Sequence, residues 1–221
     1  MPVAAPDLLL DPWWARLPAP GEPGTPARHT LVAVLSAEFP AHTVVQLPGG
    51  RRPRDWRIAV QADVDGSRVH RVEVALPGAP LLWYVELPEP AARPAASTVV
   101  AFSDPRFPDG TLLDAARARR EGVDGGSQVG ALRWWPGTGL VHQIYVTPDH
   151  RRRGVGNKLS RAVFGMQAAR GLPHLHGDGR RTELGEEWRN GLHAAVAARM
   201  APLSEVMPAM TPSDAAGPIR R

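Results

Sequence analysis

The stretch "IYVTPDHRRRGVGNKLSRAVFGMQ", residues 144 to 167, holds an apolar run, a proline, three consecutive arginines, two glycines and then a helical pattern. The run Ile144 to Val146 reads as the end of a strand, and Pro148 ends its ladder bonding because it has no N–H to give. Beyond the glycines, Leu159, Ala162, Val163 and Met166 recur at i, i+3, i+4 and i+7, which predicts one apolar helical stripe. A strand and a helix are thus joined by a basic, glycine-containing turn. A plain surface turn would account for it. So would an anion cradle: the first amides of a helix lack internal partners, and the macrodipole puts partial positive charge there. Gly154 and Gly156 would let a ligand approach the backbone, and Arg151, Arg152 and Arg153 would add charge at the rim.

Spacing separates the known phosphate motifs. A P-loop needs G-x-x-x-x-G-K-[ST], but Lys158 follows Asn157 and no glycine lies at the earlier position. A dinucleotide fingerprint needs a third glycine where Leu159 stands. Both motifs are excluded.

What matches is R-x-x-G-x-G after a strand. The stretch resembles motif A of the GNAT superfamily of acyl-CoA-dependent N-acyltransferases, usually written [Q/R]-x-x-G-x-[G/A], with Arg151, Gly154 and Gly156 at the defining positions. The resemblance is clear over residues 128 to 190, weaker over 98 to 127, and hardly present before that. It implies an α/β (α+β) fold, a mixed and mostly antiparallel sheet with flanking helices. It implies acetyl-CoA as cofactor, its pyrophosphate held by the turn Arg151, Arg152, Arg153, Gly154, Val155 and Gly156. The pantetheine arm would lie along the backbone of Tyr145 and Val146. The implied activity is transfer of an acetyl group to an amine, on a small molecule or a peptide, by direct attack.

The catalytic half of the pattern departs from the family. Many members carry a Glu base on the strand before motif A; the matching residue is Gln143, which takes no proton at neutral pH. Many carry a Tyr acid in the last helix; that position aligns with Trp188, whose indole N–H is no useful acid. The family's Asn near the start of that helix falls on Arg181. A substitute base is expected among the histidines, with His176 favoured and His174 and His142 as alternatives. His174, His176 and Asp178 also have metal-ligand chemistry, but no second cluster supports a metal site. Glu183, Glu186 and Glu187 could attract an amine, or simply complement a helix dipole. The departures keep a second reading open: a catalytically degenerate GNAT-like module acting as a binding or structural component.

The rest of the chain is read outward from this core. "DWRIAVQADV", the Asp65-Gly66 turn and "SRVHRVEVAL" predict a hairpin, and "LLWYVEL" a third strand of the same meander, over residues 56 to 87. "PEPAARPAAS", residues 88 to 97, has linker composition, which marks either a boundary there or a loop within one continuous sheet. "STVVAF" reads as a strand and "TLLDAARARRE" as a helix that includes Leu112 and Leu113. "QVGALRWW" and "LVHQIYV" form another hairpin across "PGTG". "LPHLH" reads as a short strand. A last helix starts at the N-cap Thr182, its stripe running Leu184, Trp188, Leu192, Ala195 and Val196. Four regions follow: an irregular Pro-rich arm (1–28), a β-rich region (29–92), the acyl-CoA-binding domain (93–200) and a disordered tail (201–221). Trp13 and Trp14 would be costly to leave in water, so the arm is expected to pack, normally on its own domain.

Composition sets limits. The chain has 221 residues, 22% charged, a formal net charge of +4 and no cysteine. Disulfides, thiolate metal sites and a Cys nucleophile are therefore excluded. There is no run of eighteen apolar residues and no secretory-signal pattern, so a cytoplasmic protein with no membrane partner is the simplest reading. Arginine clusters at 51–57, 117–120 and 151–153 raise nucleic acid as a partner. The modest net charge and the lack of interleaved aromatics do not favour it. A protein partner would dock through the N-terminal region.

Overall fold

The computed structural model describes residues 11–19, 27–49, 51–192 and 197–208. Its first five strands are β1 (Trp13–Ala19), β2 (Arg28–Val34), β3 (Val44–Gln46), β4 (Trp56–Asp63) and β5 (Val69–Val74). They form one sheet in the order β3-β1-β2-β4-β5. The next five are β6 (Trp83–Glu89), β7 (Ala96–Phe102), β8 (Leu112–Asp114), β9 (Gly130–Trp135) and β10 (Leu140–Val146), in the order β10-β9-β7-β6-β8. Pairing is antiparallel except for β1 with β3 and β6 with β8. The two sheets touch at their edges: Arg71 bridges Thr111, and Val72 N–H donates to Gly110 C=O at 2.7 Å.

Three helices are described by their full bounds: α1 (Ala115–Arg120), α2 (Val155–Ala169) and α3 (Glu183–Asn190). The predicted stripe of α2 is buried throughout, with Leu159, Ala162, Val163 and Met166 each at most 1% exposed. This helix spans both sheets. A Cβ on Gly165 would lie 2.7 Å from Ile58 Cγ2 and 2.8 Å from Val60 Cγ2, so glycine there lets the helix settle onto β4. Leu159 meets the second sheet at Gly130. Residues of both sheets and α2 accordingly share one core.

Several expectations need correcting. The Pro-rich arm contains a strand: β1 pairs with β2 along its whole length, from Trp13 opposite Val34 to Ala19 opposite Arg28. Pro18 is tolerated because β3 covers only Trp14 to Arg16 on the other edge, so no ladder bond is asked of the proline there. Trp13 and Trp14 are both buried, on separate faces of that strand, in two different clusters. The rest of the arm, 1–10 and 20–26, lies outside the described residues. "LLWYVEL" does not extend the β4–β5 meander; β6 pairs with β7 and β8 in the second sheet. Residues 88–97 are the end of the β6–β7 hairpin, not a linker between sheets. Pro88 faces Ser97, Glu89 faces Ala96, and Arg133 forks onto Glu89. Leu112 and Leu113 belong to a strand rather than to the following helix, because Asp114 Oδ1 accepts from Arg117 N–H and so starts α1 after itself. "LPHLH" makes only single bridges, at His176 to Leu140 and then Gly177 to Met200. In the tail, β12 (Glu205–Val206) pairs in parallel with β11 (Arg180–Arg181). Residues 209–221, and Ala195 and Val196 of the last predicted stripe, lie outside the described residues.

Candidate active site

The motif turn is built from the end of β10. Thr147 N–H donates to Val129 C=O, and Pro148 to His150 form one 3₁₀ turn. Arg151 Nε reaches back to Val146 C=O at 3.1 Å, so this arginine ties the turn to the strand. Arg152 and Gly154 take left-handed backbone, with φ of 58° and 80°. Glycine at 154 is required on two counts: the positive φ, and the 3.0 Å that would separate its Cβ from Ala79 Cβ. The helix then begins with Lys158 N–H bonding Gly154 C=O at 2.9 Å. No side chain caps α2, whereas Asp114 caps α1 and Thr182 caps α3. The amides of Val155, Gly156 and Asn157 therefore precede the intrahelical ladder, without a capping side chain, at the positive end of a 15-residue helix.

Two further contacts anchor this end. Lys158, the only lysine of the chain, is buried and donates to Asp109 Oδ1 at 2.8 Å and to Pro80 C=O at 2.9 Å. Asp109 also accepts from Leu82 N–H. Helix α3 closes over the other side. Trp188 Nε1 donates to Asn157 Oδ1 at 2.6 Å, and a Cβ on Gly156 would lie 3.2 Å from that nitrogen. Arg152 pairs with Glu187 at 2.9 Å, with both side chains exposed.

Among the described residues, the edge of β10 away from β9 carries a β-bridge only at its start. Val141 N–H donates to His176 C=O, and His176 N–H to Gly139 C=O. The segment then turns away toward Met200, so past Val141 no strand pairs with that edge among the described residues. A bulge between Val141 and Gln143 places His142 out of register, where it stacks on Trp135.

Beside this edge lies a cavity of about 330 Å³. Asn157, Arg161 and Phe164 of α2 line one wall, with Val141 and His176 next to them and Trp188 at the motif end. The first sheet supplies Arg57 and Ile58. The structure puts His176, the favoured base, at a cavity wall that also includes Asn157, the residue after the motif. His174 instead stacks on the Phe164 ring and lies against His42. Burial against these rings and the nearby His42 lower its pKa, although the residue stays open to solvent. Asp178 accepts from Arg180 N–H. Among the described residues no group of three or more His, Asp or Glu could hold a metal ion. Arg57, Asn157, Lys158 and Arg161 were not anticipated as site residues. Asn157 directly follows the motif, but the others depend on long-range packing.

Comparison with known proteins adds one finding. Residues 84–176 match the model of the acetyltransferase (GNAT) family. This segment is similar to the GNAT family. It begins inside β6, includes the rest of the β6–β7 hairpin and the motif strand, turn and helix, and ends at His176. The GNAT match therefore takes in the hairpin that composition alone would have divided. No curated protein and no solved structure gives a match. No described helix is long and apolar enough to cross a membrane.

Proposed function

We propose that this chain is an N-acetyltransferase that draws its acetyl group from acetyl-CoA and delivers it to an amine by direct attack. The observation that carries the reading is the uncapped start of α2 behind Gly154, beside the open edge of β10. The residues fit such a ligand: the first amides and helix dipole of α2 suit a pyrophosphate, which would approach from the side of Gly156 that Trp188 does not cover. Arg153 adds charge at the rim, while Arg151 and Arg152 are partly committed to Val146 and Glu187. Backbone groups of Tyr145 and Val146 would align the pantetheine arm. When bound, the thioester supplies the activated acetyl group; orientation by the chain supplies most of the rate.

The amine nitrogen forms the new C–N bond as the C–S bond breaks. His176, on the cavity wall, would take the proton the nitrogen gives up. Gln143 cannot do so. Trp188 N–H is held by Asn157, so the departing thiolate would take its proton from solvent. The test is release of free thiol from acetyl-CoA across a broad amine panel. Activity on at least one amine is expected.

Gln143 and Trp188 also favour a second reading, a GNAT-like binding module without turnover. Cofactor binding with no activity on any amine would select it.

A further inference from the structure

Arg57, on β4, and Arg161, on α2, line the cavity together. They are close enough that the charge of Arg57, after burial itself, lowers the pKa of Arg161. Among the described residues neither guanidinium has a carboxylate or a hydrogen-bond acceptor. The acid at that cavity, Asp11, is already held by Arg199 and by His42 at 2.9 Å. The remaining walls include Ile58, Val141, Phe164 and Leu175. An apolar cavity thus carries two like charges that nothing described neutralises. Arg57 is exposed and Arg161 partly buried, so the cost of bringing the like charges together falls mainly on Arg161, and a ligand anion would relieve it.

We infer that the cavity binds the acceptor, and that the acceptor is an amine carrying a carboxylate on an apolar body, held by Arg57 and Arg161. This rests on the acetyltransferase reading for the word acceptor, but not for the anion preference. A volume of about 330 Å³ suits an amino acid or small peptide more than a large antibiotic. Planar guanidinium groups recognise carboxylates through two parallel hydrogen bonds, which gives orientation as well as attraction. The side chain or apolar body would fill the space beside Phe164, and His176 on the same wall would face the amine. Arg57 and Ile58 lie outside residues 84–176, so the first sheet supplies part of the specificity.

The experiment is calorimetric titration of the full chain with L-phenylalanine, L-leucine and their carboxamides, on wild type and on the Arg57→Gln/Arg161→Gln double variant. Coenzyme A is titrated in parallel. A charged hydrogen bond lost is expected to weaken binding about 10- to 100-fold. Wild type should therefore bind the acids that much more tightly than the amides, and the double variant should lose the difference. Its melting temperature should hold or rise, since a repulsion has been removed. If acids bind no better than amides in wild type, absence of binding by both included, the inference is overturned. A preference that survives in the double variant overturns it too, as does a double variant that weakens coenzyme A and leaves the acid preference intact. Failure of wild type to bind coenzyme A would overturn the acetyltransferase reading alone.

Discussion

Trp188 Nε1 donates to Asn157 Oδ1 at 2.6 Å, and the same nitrogen lies 3.2 Å from where a Cβ on Gly156 would stand. The last described full helix is thus seated directly on the first turn of the motif helix. Trp188→Phe keeps an aromatic ring but removes the hydrogen bond and part of the indole's packing, so unfolding in urea should show a loss of at least about 0.5–1.5 kcal/mol.

The two motif glycines should behave differently. Gly154→Ala forces a side chain into left-handed backbone and against Ala79, and should destabilise by about 1–2 kcal/mol. Gly156→Ala has ordinary helical φ and should leave stability nearly unchanged while crowding Trp188 and weakening coenzyme A binding. Equilibrium unfolding and calorimetry on the two variants separate these effects. Equal loss of stability in both would contradict the assignment.

Lys158 and Asp109 lie far apart in sequence and form a partly buried ion pair with side-chain exposures of 3% and 25%. Removing one partner of a buried pair costs about 3–5 kcal/mol, and less where the other keeps water. Lys158→Met should cost about 2–3 kcal/mol on that basis. Adding Asp109→Asn should recover part of the loss, which a double-mutant cycle measures.

Glu73 connects pH to stability. Burial would raise its carboxyl pKa, but the Arg52 fork at 2.6 and 3.0 Å and the neighbouring Arg71 outweigh it, leaving the pKa below the ordinary 4.5. The folded state therefore binds fewer protons here than the unfolded state. Its contribution is complete above 4.5 and disappears as pH falls through the folded value. Glu73→Gln should destabilise at neutral pH, and the difference from wild type should shrink steadily in acid. A difference independent of pH would contradict this.

What the sequence disclosed follows from the range of the interactions involved. The β4–β5 hairpin was legible because Asp65-Gly66 is local turn chemistry, and Gly66 does take φ of 71°. Helix α2 was legible because Leu159, Ala162, Val163 and Met166 mark one face. Strand β1 was hidden because Pro18 reads as a breaker, and only its place beyond β3 makes it harmless. Leu112 and Leu113 fit a helical stripe locally, but parallel pairing with β6 overrides that preference. The cavity was not legible at all: Arg57 and Arg161 come from different elements, and nothing local places them together.

His176 is expected to matter for turnover and not for folding, because β10 holds it by its main chain while its side chain is exposed at the cavity. If the chain is active, His176→Ala should lower turnover about 10- to 1000-fold, with coenzyme A affinity unchanged. Full activity at every pH would move the base to His174 or His142.

The most direct test of the central claim, that the turn at Gly154 and Gly156 holds an acyl-CoA, is the melting temperature of the full chain with and without coenzyme A. A ligand at about 100 times its Kd stabilises the folded state by about 2.7 kcal/mol. For a chain of this length that corresponds to a rise of about 5–10 °C. The account predicts such a rise for wild type and a smaller one for Gly156→Ala. An unchanged melting temperature at millimolar coenzyme A would contradict it.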